Sequence, residues 1–236
     1  MTEYPKKYGL KTLLIILIPV FELGLGNLIG YIKPLRENPT WASFVNWLIF
    51  LAAFIIIIIM FKPLFKRDWA IYRTHIWRNL LLSILGAVIL TFILQFVRSG
   101  LNLLSVAPKF NFLTAADPGK ITAVPLWAQL LQVTLPLMAP FVEEVIFRHL
   151  LFYRVKPIGL KWLMFFVSAV LFGLVHWNNF NGQVLQMIPY MFIGMYFALI
   201  YQFTKTIWGS LSVHLIFNGS NAILMAFGMI AAQFAH

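Results

Sequence analysis

The chain has 236 residues, 61% hydrophobic and only 11% charged, against about 25% charged in an ordinary soluble domain; no soluble fold of this size has interior enough for that, so a water-soluble globular protein is excluded. With no cysteine, disulfides, thiolate catalysis and cysteine zinc sites are excluded as well. The net charge of +11 falls at helix ends rather than on one soluble face, which argues against a nucleic-acid partner and for orientation in a membrane.

In chain order, seven apolar segments approach the roughly 20 residues needed to cross the hydrocarbon core as a helix: 11–32, 41–61, 79–97, 124–147, 159–178, 183–202 and 207–232. The first is interrupted by Pro19 and three glycines and could be irregular or re-entrant. It holds Glu22, expected at a helix break or facing the bundle, and Gly26-x-x-x-Gly30, which permits close helix packing. It is too long and too polar in its second half for a cleaved signal peptide, so it is expected to stay in the mature protein. The expected fold is all-α: a polytopic transmembrane bundle of about seven helices (six to eight) forming a single integral membrane domain over residues 1–236. Residues 1–120 carry no recognisable motif, and 121–236 carry every one found.

A cytoplasmic N-terminus places Lys6, Lys7, Lys11, Lys62, Lys66, Arg67, Arg73, Arg78, Arg148, Arg154, Lys156, Lys161 and Lys205 inside. It leaves Lys33, Arg36, Arg98, Lys109 and Lys120 outside. Thirteen against five predicts N-terminus in and C-terminus out. Trp41, Trp77 and Trp208 fall near the predicted interfaces.

An ionised group at the bilayer centre costs about 2.5–3.5 kcal/mol on insertion scales. Glu143, Glu144 and Arg148 therefore mark a functional site at the end of the fourth segment. Several intramembrane chemistries fail on the residues present. An aspartyl protease needs two membrane aspartates, and Asp68 and Asp117 are both expected in loops. No Gly-x-Ser offers a rhomboid-like nucleophile, and no His-Glu-x-x-His offers a zinc site.

A glutamate and histidine site remains. Glu144 and Arg148 are four apart, so they share a helix face and can pair. Glu143 is rotated about 100° away with no such partner in its own helix, so one carboxylate is structural and the other is free for chemistry. Pro136 and Pro140 sit just upstream: either the helix restarts at Pro140, or it continues with a kink that opens space beside Glu143. His214 and Asn218 project from one face of the last segment, and Gly173 allows close approach of a neighbouring helix beside His176. Asn218 could equally bridge helices. His75, His149 and His236 are read as peripheral.

Glu143-Glu144-x-x-x-Arg148, Phe172-x-x-x-His176 and His214-x-x-x-Asn218 resemble, in order and spacing, the three motifs of the CAAX protease and bacteriocin-processing family, also called the Abi family. His149, where bacterial members often carry glycine, departs from the pattern. The resemblance implies a bundle of seven or eight helices and endoproteolysis at the membrane. It implies that Glu143, with His176, activates a water for attack on the scissile carbonyl. His214 and Asn218 would donate to the oxyanion, while Glu144 and Arg148 hold the site together. A carboxylate so placed hydrolyses without a covalent intermediate and needs no cofactor; zinc bound by Glu143, His176 and His214 is the alternative, for which Asn218 is a poor ligand. Expected partners are membrane lipids and a peptide or membrane-protein substrate, prenylated or bacteriocin-like, in a bacterial plasma membrane. Two other functions fit the same residues: a non-catalytic immunity or binding protein, and a proton-coupled transporter using Glu143, His176 and His214 as a relay.

Overall fold

The computed structural model describes residues 14–29, 31–103 and 124–234. Expectations for Lys6, Lys7, Lys11, Gly30, Lys109, Asp117, Lys120 and His236 fall outside the described residues, as do those for the side chains of Glu22 and Gly26.

Among the described residues the chain is all-α. Helix α1 (Ile18–Ile29) and the single turn α2 (Lys33–Arg36) precede α3 (Pro39–Met60), which Asn38 caps by accepting from the Trp41 amide. Then come α4 (Lys62–Tyr72), a 3₁₀ turn at Arg73–His75 and α5 (Ile76–Leu103). Helix α6 (Leu126–Glu143) runs on without a break into wider π winding over Glu144–Tyr153, followed by α7 (Ile158–Leu174), a 3₁₀ turn at Trp177–Phe180, α8 (Val184–Thr204) and α9 (Ile207–Ala232). Five stretches are long and apolar enough to cross a membrane: Pro39–Met60, Lys62–Asn102, Leu126–Tyr153, Val184–Thr204 and Ile207–Ala232.

Two expectations are corrected. The segment at 159–178 ends as a helix at Leu174, so its 17 residues reach only about 25 Å at 1.5 Å per residue and His176 lies beyond its end. Within the first segment, which the sequence leaves open as irregular or re-entrant, the described helix Ile18–Ile29 has 12 residues. Asp68 is in no loop; it sits in α4, fully buried.

The bundle closes where small residues let backbones meet. A methyl group at Gly173 would overlap the Met191 side chain and lie 3.1 Å from the Met187 carbonyl, so α7 and α8 touch only because this position is glycine. Gly194 does the same from the other side, against Ala169. The core is built of Ile57, Leu90, Ile146, Leu150, Phe172, Phe197 and Leu211, all but closed to solvent. Residues 144–150 are all buried, so the segment carrying the charged motif has no lipid-facing side.

Candidate active site

Glu143 stands at the last α-helical residue of α6, and the winding widens immediately after it. Such i→i+5 winding is rare and is found most often at functional sites. Both prolines lie inside one continuous helix, so of the two arrangements the sequence left open, the uninterrupted one is adopted. Proline has no N–H, and Pro140 leaves the carbonyl of Pro136 without its i+4 donor. Asn218 of α9 supplies that donor, its Nδ2 lying 3.0 Å from the Pro136 oxygen. Ser168 of α7 similarly donates to the Phe147 carbonyl in the widened segment, at 2.6 Å.

The two glutamates have separate environments. The Glu144 side chain is fully enclosed, with Oε1 3.4 Å from Arg148 Nε, as their four-residue spacing predicted. Glu143 keeps 17% of its side chain exposed. It faces a cavity of about 580 Å³ whose walls include Gln132, His176, Tyr190, His214 and Asn218. The exposed carboxylate is the one without a partner in its own helix.

His214 joins them. Its Nδ1 lies 3.1 Å from Glu144 Oε1 and its Nε2 3.5 Å from Glu143 Oε2. A neutral imidazole has only one N–H, so serving both carboxylates takes either a doubly protonated ring or a proton on Glu143. The doubly protonated ring also brings the sum over Glu143, Glu144, Arg148 and His214 to zero, which lowers the cost of holding four ionisable groups in a membrane. The ring stacks on Phe197 with centroids 4.3 Å apart. The ring nitrogen beside Glu143 is that of His214.

His176 caps its own helix. Its backbone N–H turns to the Gly173 carbonyl, leaving the Phe172 carbonyl unserved, and the side-chain Nδ1 takes it up at 3.0 Å. A carbonyl only accepts, so Nδ1 carries the proton and a neutral ring has its lone pair on Nε2. Tyr190 packs against the ring at 4.1 Å.

Phe172 ties the site together, a role the motif spacing did not disclose. Its ring lies 4.0 Å below the Arg148 guanidinium carbon, with Phe197 at 5.3 Å and Phe147 at 5.8 Å. Nη1 and Nη2 of Arg148 find no hydrogen-bond acceptor among the described residues, so these ring faces stand in for acceptors. Phe197 and Tyr190 belong to no motif; the only sequence signal for them is their aromatic character in an apolar helix. His149 is not peripheral. It is buried, its Nδ1 2.7 Å from the Tyr201 hydroxyl, and it packs away from the cavity.

Among the described residues no group of three or more His, Asp or Glu is placed to hold a metal ion. Both nitrogens of His214 are turned to carboxylates, while Nδ1 of His176 is turned to a backbone carbonyl.

Residues 125–220 match the family model described as "Type II CAAX prenyl endopeptidase Rce1-like". The chain is 31% identical over 98 residues to the Bacillus subtilis (strain 168) protein named "Putative membrane peptidase YdiL", covering 42% of this chain and 36% of that one. It is 26% identical over 203 residues to an "Uncharacterized protein" of Mycoplasma capricolum subsp. capricolum, covering 80% of this chain and 58% of that one. The matches thus span about a third and somewhat over half of these relatives' own lengths. No solved structure matches the chain. The matched stretch begins at the start of α6 and contains Glu143, Glu144, Arg148, His176, His214 and Asn218, so the chain is similar to that family over the part that carries the candidate site.

Proposed function

We propose that this protein is a membrane-embedded endopeptidase in which Glu143 activates a water against a peptide carbonyl held in the cavity. The observation that carries this reading is the division between the two glutamates: one sealed against Arg148, the other open to the cavity and backed by His214.

Glu143 takes a proton from the water as it attacks, and His214, bonded through Nδ1 to Glu144, holds that carboxylate in place and shares the proton. His176, which lines the same cavity and when neutral has its lone pair on Nε2, receives a proton from the attacking water or the tetrahedral intermediate and returns it to the departing amine. The second N–H of Asn218 Nδ2 is the donor for the oxyanion; one such donor contributes about 3–4 kcal/mol of transition-state stabilisation. His214 joins it on the oxyanion only if the ring leaves Glu143 as the substrate binds. No covalent intermediate forms and no metal is needed.

Lipid and a peptide or protein substrate are the partners, and a prenylated chain or a bacteriocin-like peptide is the finer expectation. A bacterial role in peptide maturation, membrane-protein processing or bacteriocin immunity follows from it.

The test compares wild type with Glu143→Ala in liposomes against a pooled library of fluorogenic and prenylated peptides, with and without a chelator. Cleavage lost in Glu143→Ala and indifferent to chelator is the expected result. Cleavage abolished by chelator would bring back the zinc reading. A folded wild type that binds peptides and cuts none would make it a binding or immunity protein, and proton-driven flux without cleavage a transporter.

A further inference from the structure

We propose that the cavity above Glu143 opens on the non-cytoplasmic side of the membrane, so that its substrate is a peptide segment exposed on that side; this rests on the peptidase reading of the site. Two independent observations meet here: which end of the bundle the cavity reaches, and how charge is divided between the two ends.

The connections alternate. At one end lie the α3–α5 junction (61–78), the 154–157 link and the turn at 205–206; at the other lie the 31–38 segment, the end of α5, the start of α6 and the α7–α8 link at 175–183. Contacts agree with this division. Asp68 of α4 accepts from the Ile207 amide at 2.7 Å at the first end, and α1 packs against Trp177–Phe180 at the second.

The cavity belongs to the second end. Its walls take Asn46 from the early part of α3, Gln132 from the early part of α6, and Asn178 and Asn179 from the α7–α8 link. No wall residue comes from α4, from 154–157 or from 205–206. Below Glu143 the path is closed by the buried run 144–150, and by Phe65, Phe141 and Trp208, whose rings pack on one another at 5.8–6.4 Å.

Among the described residues, the first end carries nine lysines and arginines in short connections: five within 61–78, three within 154–161, and Lys205. The second end has Lys33, Arg36 and Arg98, and none in 175–183. Arg148, which the sequence alone counts with the basic end, is buried beside Glu144 and leaves the tally. Short loops rich in lysine and arginine stay in the cytoplasm, so the first end faces inward and the cavity faces outward. Toward that mouth the walls carry the carboxamides of Asn46, Gln132 and Asn179, of which Gln132 donates to the Ser43 carbonyl at 2.7 Å and accepts from Asn46 at 3.5 Å.

The natural absence of cysteine makes the test direct. Asn179→Cys and Lys156→Cys replace exposed residues at opposite ends, and Gln132→Cys places a thiol in the cavity wall. Each is expressed in bacteria, and right-side-out spheroplasts are treated with a membrane-impermeant thiol reagent before and after permeabilisation; total thiol in denatured protein controls for amount, and elution as a single detergent-solubilised species controls for folding. Asn179→Cys and a small reagent on Gln132→Cys are expected to label fully in intact spheroplasts, with Lys156→Cys labelled only after permeabilisation. The reverse pattern would put the cavity on the cytoplasmic side, where a prenylated C-terminus would be met, and would overturn the proposal. Labelling of Asn179→Cys with Gln132→Cys silent in intact spheroplasts and reactive after permeabilisation would overturn the opening. Because the readout needs no cleavage, it stands or falls separately from the peptidase assay.

Discussion

Asn218 donates to the backbone carbonyl of Pro136 at 3.0 Å, across the contact between α9 and α6. That carbonyl is orphaned because Pro140, four residues on, has no N–H to give. The motif asparagine and the proline upstream of the glutamates are therefore one device: the proline creates the need and the asparagine meets it, fixing the amide at the wall of the cavity.

The two positions should consequently be coupled in stability. Asn218→Ala is expected to cost about 1 kcal/mol, since it leaves a half-buried acceptor without its donor. In a Pro140→Ala background the backbone N–H returns and most of that cost should vanish, a coupling of about 1 kcal/mol in a double-mutant cycle. Thermal or denaturant unfolding in detergent measures it. Additive costs would mean that the hydrogen bond carries no energy.

The glutamates should separate function from stability. Glu143→Gln is expected to abolish cleavage while leaving the unfolding midpoint close to wild type, because its side chain faces the cavity and its neighbour is the His214 imidazole at 3.5 Å, not a buried guanidinium. Glu144→Gln strands the buried Arg148 without a counter-charge, and breaking such a pair costs about 3–5 kcal/mol. Equal loss of stability in both variants would remove the division of labour on which the mechanism stands.

Arg148 and Phe172 make a different demand. The guanidinium carbon lies 4.0 Å above the ring, with two nitrogens that lack acceptors among the described residues. A lysine keeps the charge but not the flat, weakly hydrated face that stacks there. Arg148→Lys should therefore behave much like Arg148→Met in unfolding experiments, both well below wild type. Phe172→Leu should lower stability by about 1–3 kcal/mol through lost stacking and a small cavity. Full rescue by lysine would show that charge alone is needed.

Glu143, His176, His214 and Asn218, which spacing singles out, line one cavity, but spacing missed much of how they are joined. The i, i+4 rule placed Arg148 on Glu144 and set Glu143 apart, and both hold even though the winding widens there, because the pair is a local relationship. The bond from His214 to both carboxylates joins α9 to α6 and depends on how far each helix is rotated, which no spacing within one helix records. His176 looked like a residue inside a helix because the apolar run continues past it. It lies instead just beyond the end of α7, and its role as a cap became visible only when the helix ended at Leu174. Asp68 was misplaced for the opposite reason: a short, charged segment between two greasy runs reads as a loop, yet it folds as α4 and turns Asp68 inward.

That aspartate gives the N-terminal half a part in the site. Asp68 is fully buried, accepts from Arg67 Nε at 2.7 Å and, through its other oxygen, from the first amide of α9 at 2.7 Å. A carboxylate at a helix N-terminus satisfies one of the free amides and is favoured by the helix dipole. Two further links hold the same helix: the Phe65 carbonyl accepts from Trp208 Nε1 at 2.9 Å, and Ser83 joins Tyr72 to Ser212, two residues before His214. Asp68→Ala is expected to cost about 1–2 kcal/mol of stability. It should also lower kcat more than it raises KM, because a helix free to shift at its start moves His214 off Glu143 without altering the cavity mouth. Asp68→Asn retains an acceptor for the Ile207 amide and should recover part of the loss. A variant that loses stability while the surviving folded protein keeps full kcat would show that α4 merely fastens the bundle and does not aim His214.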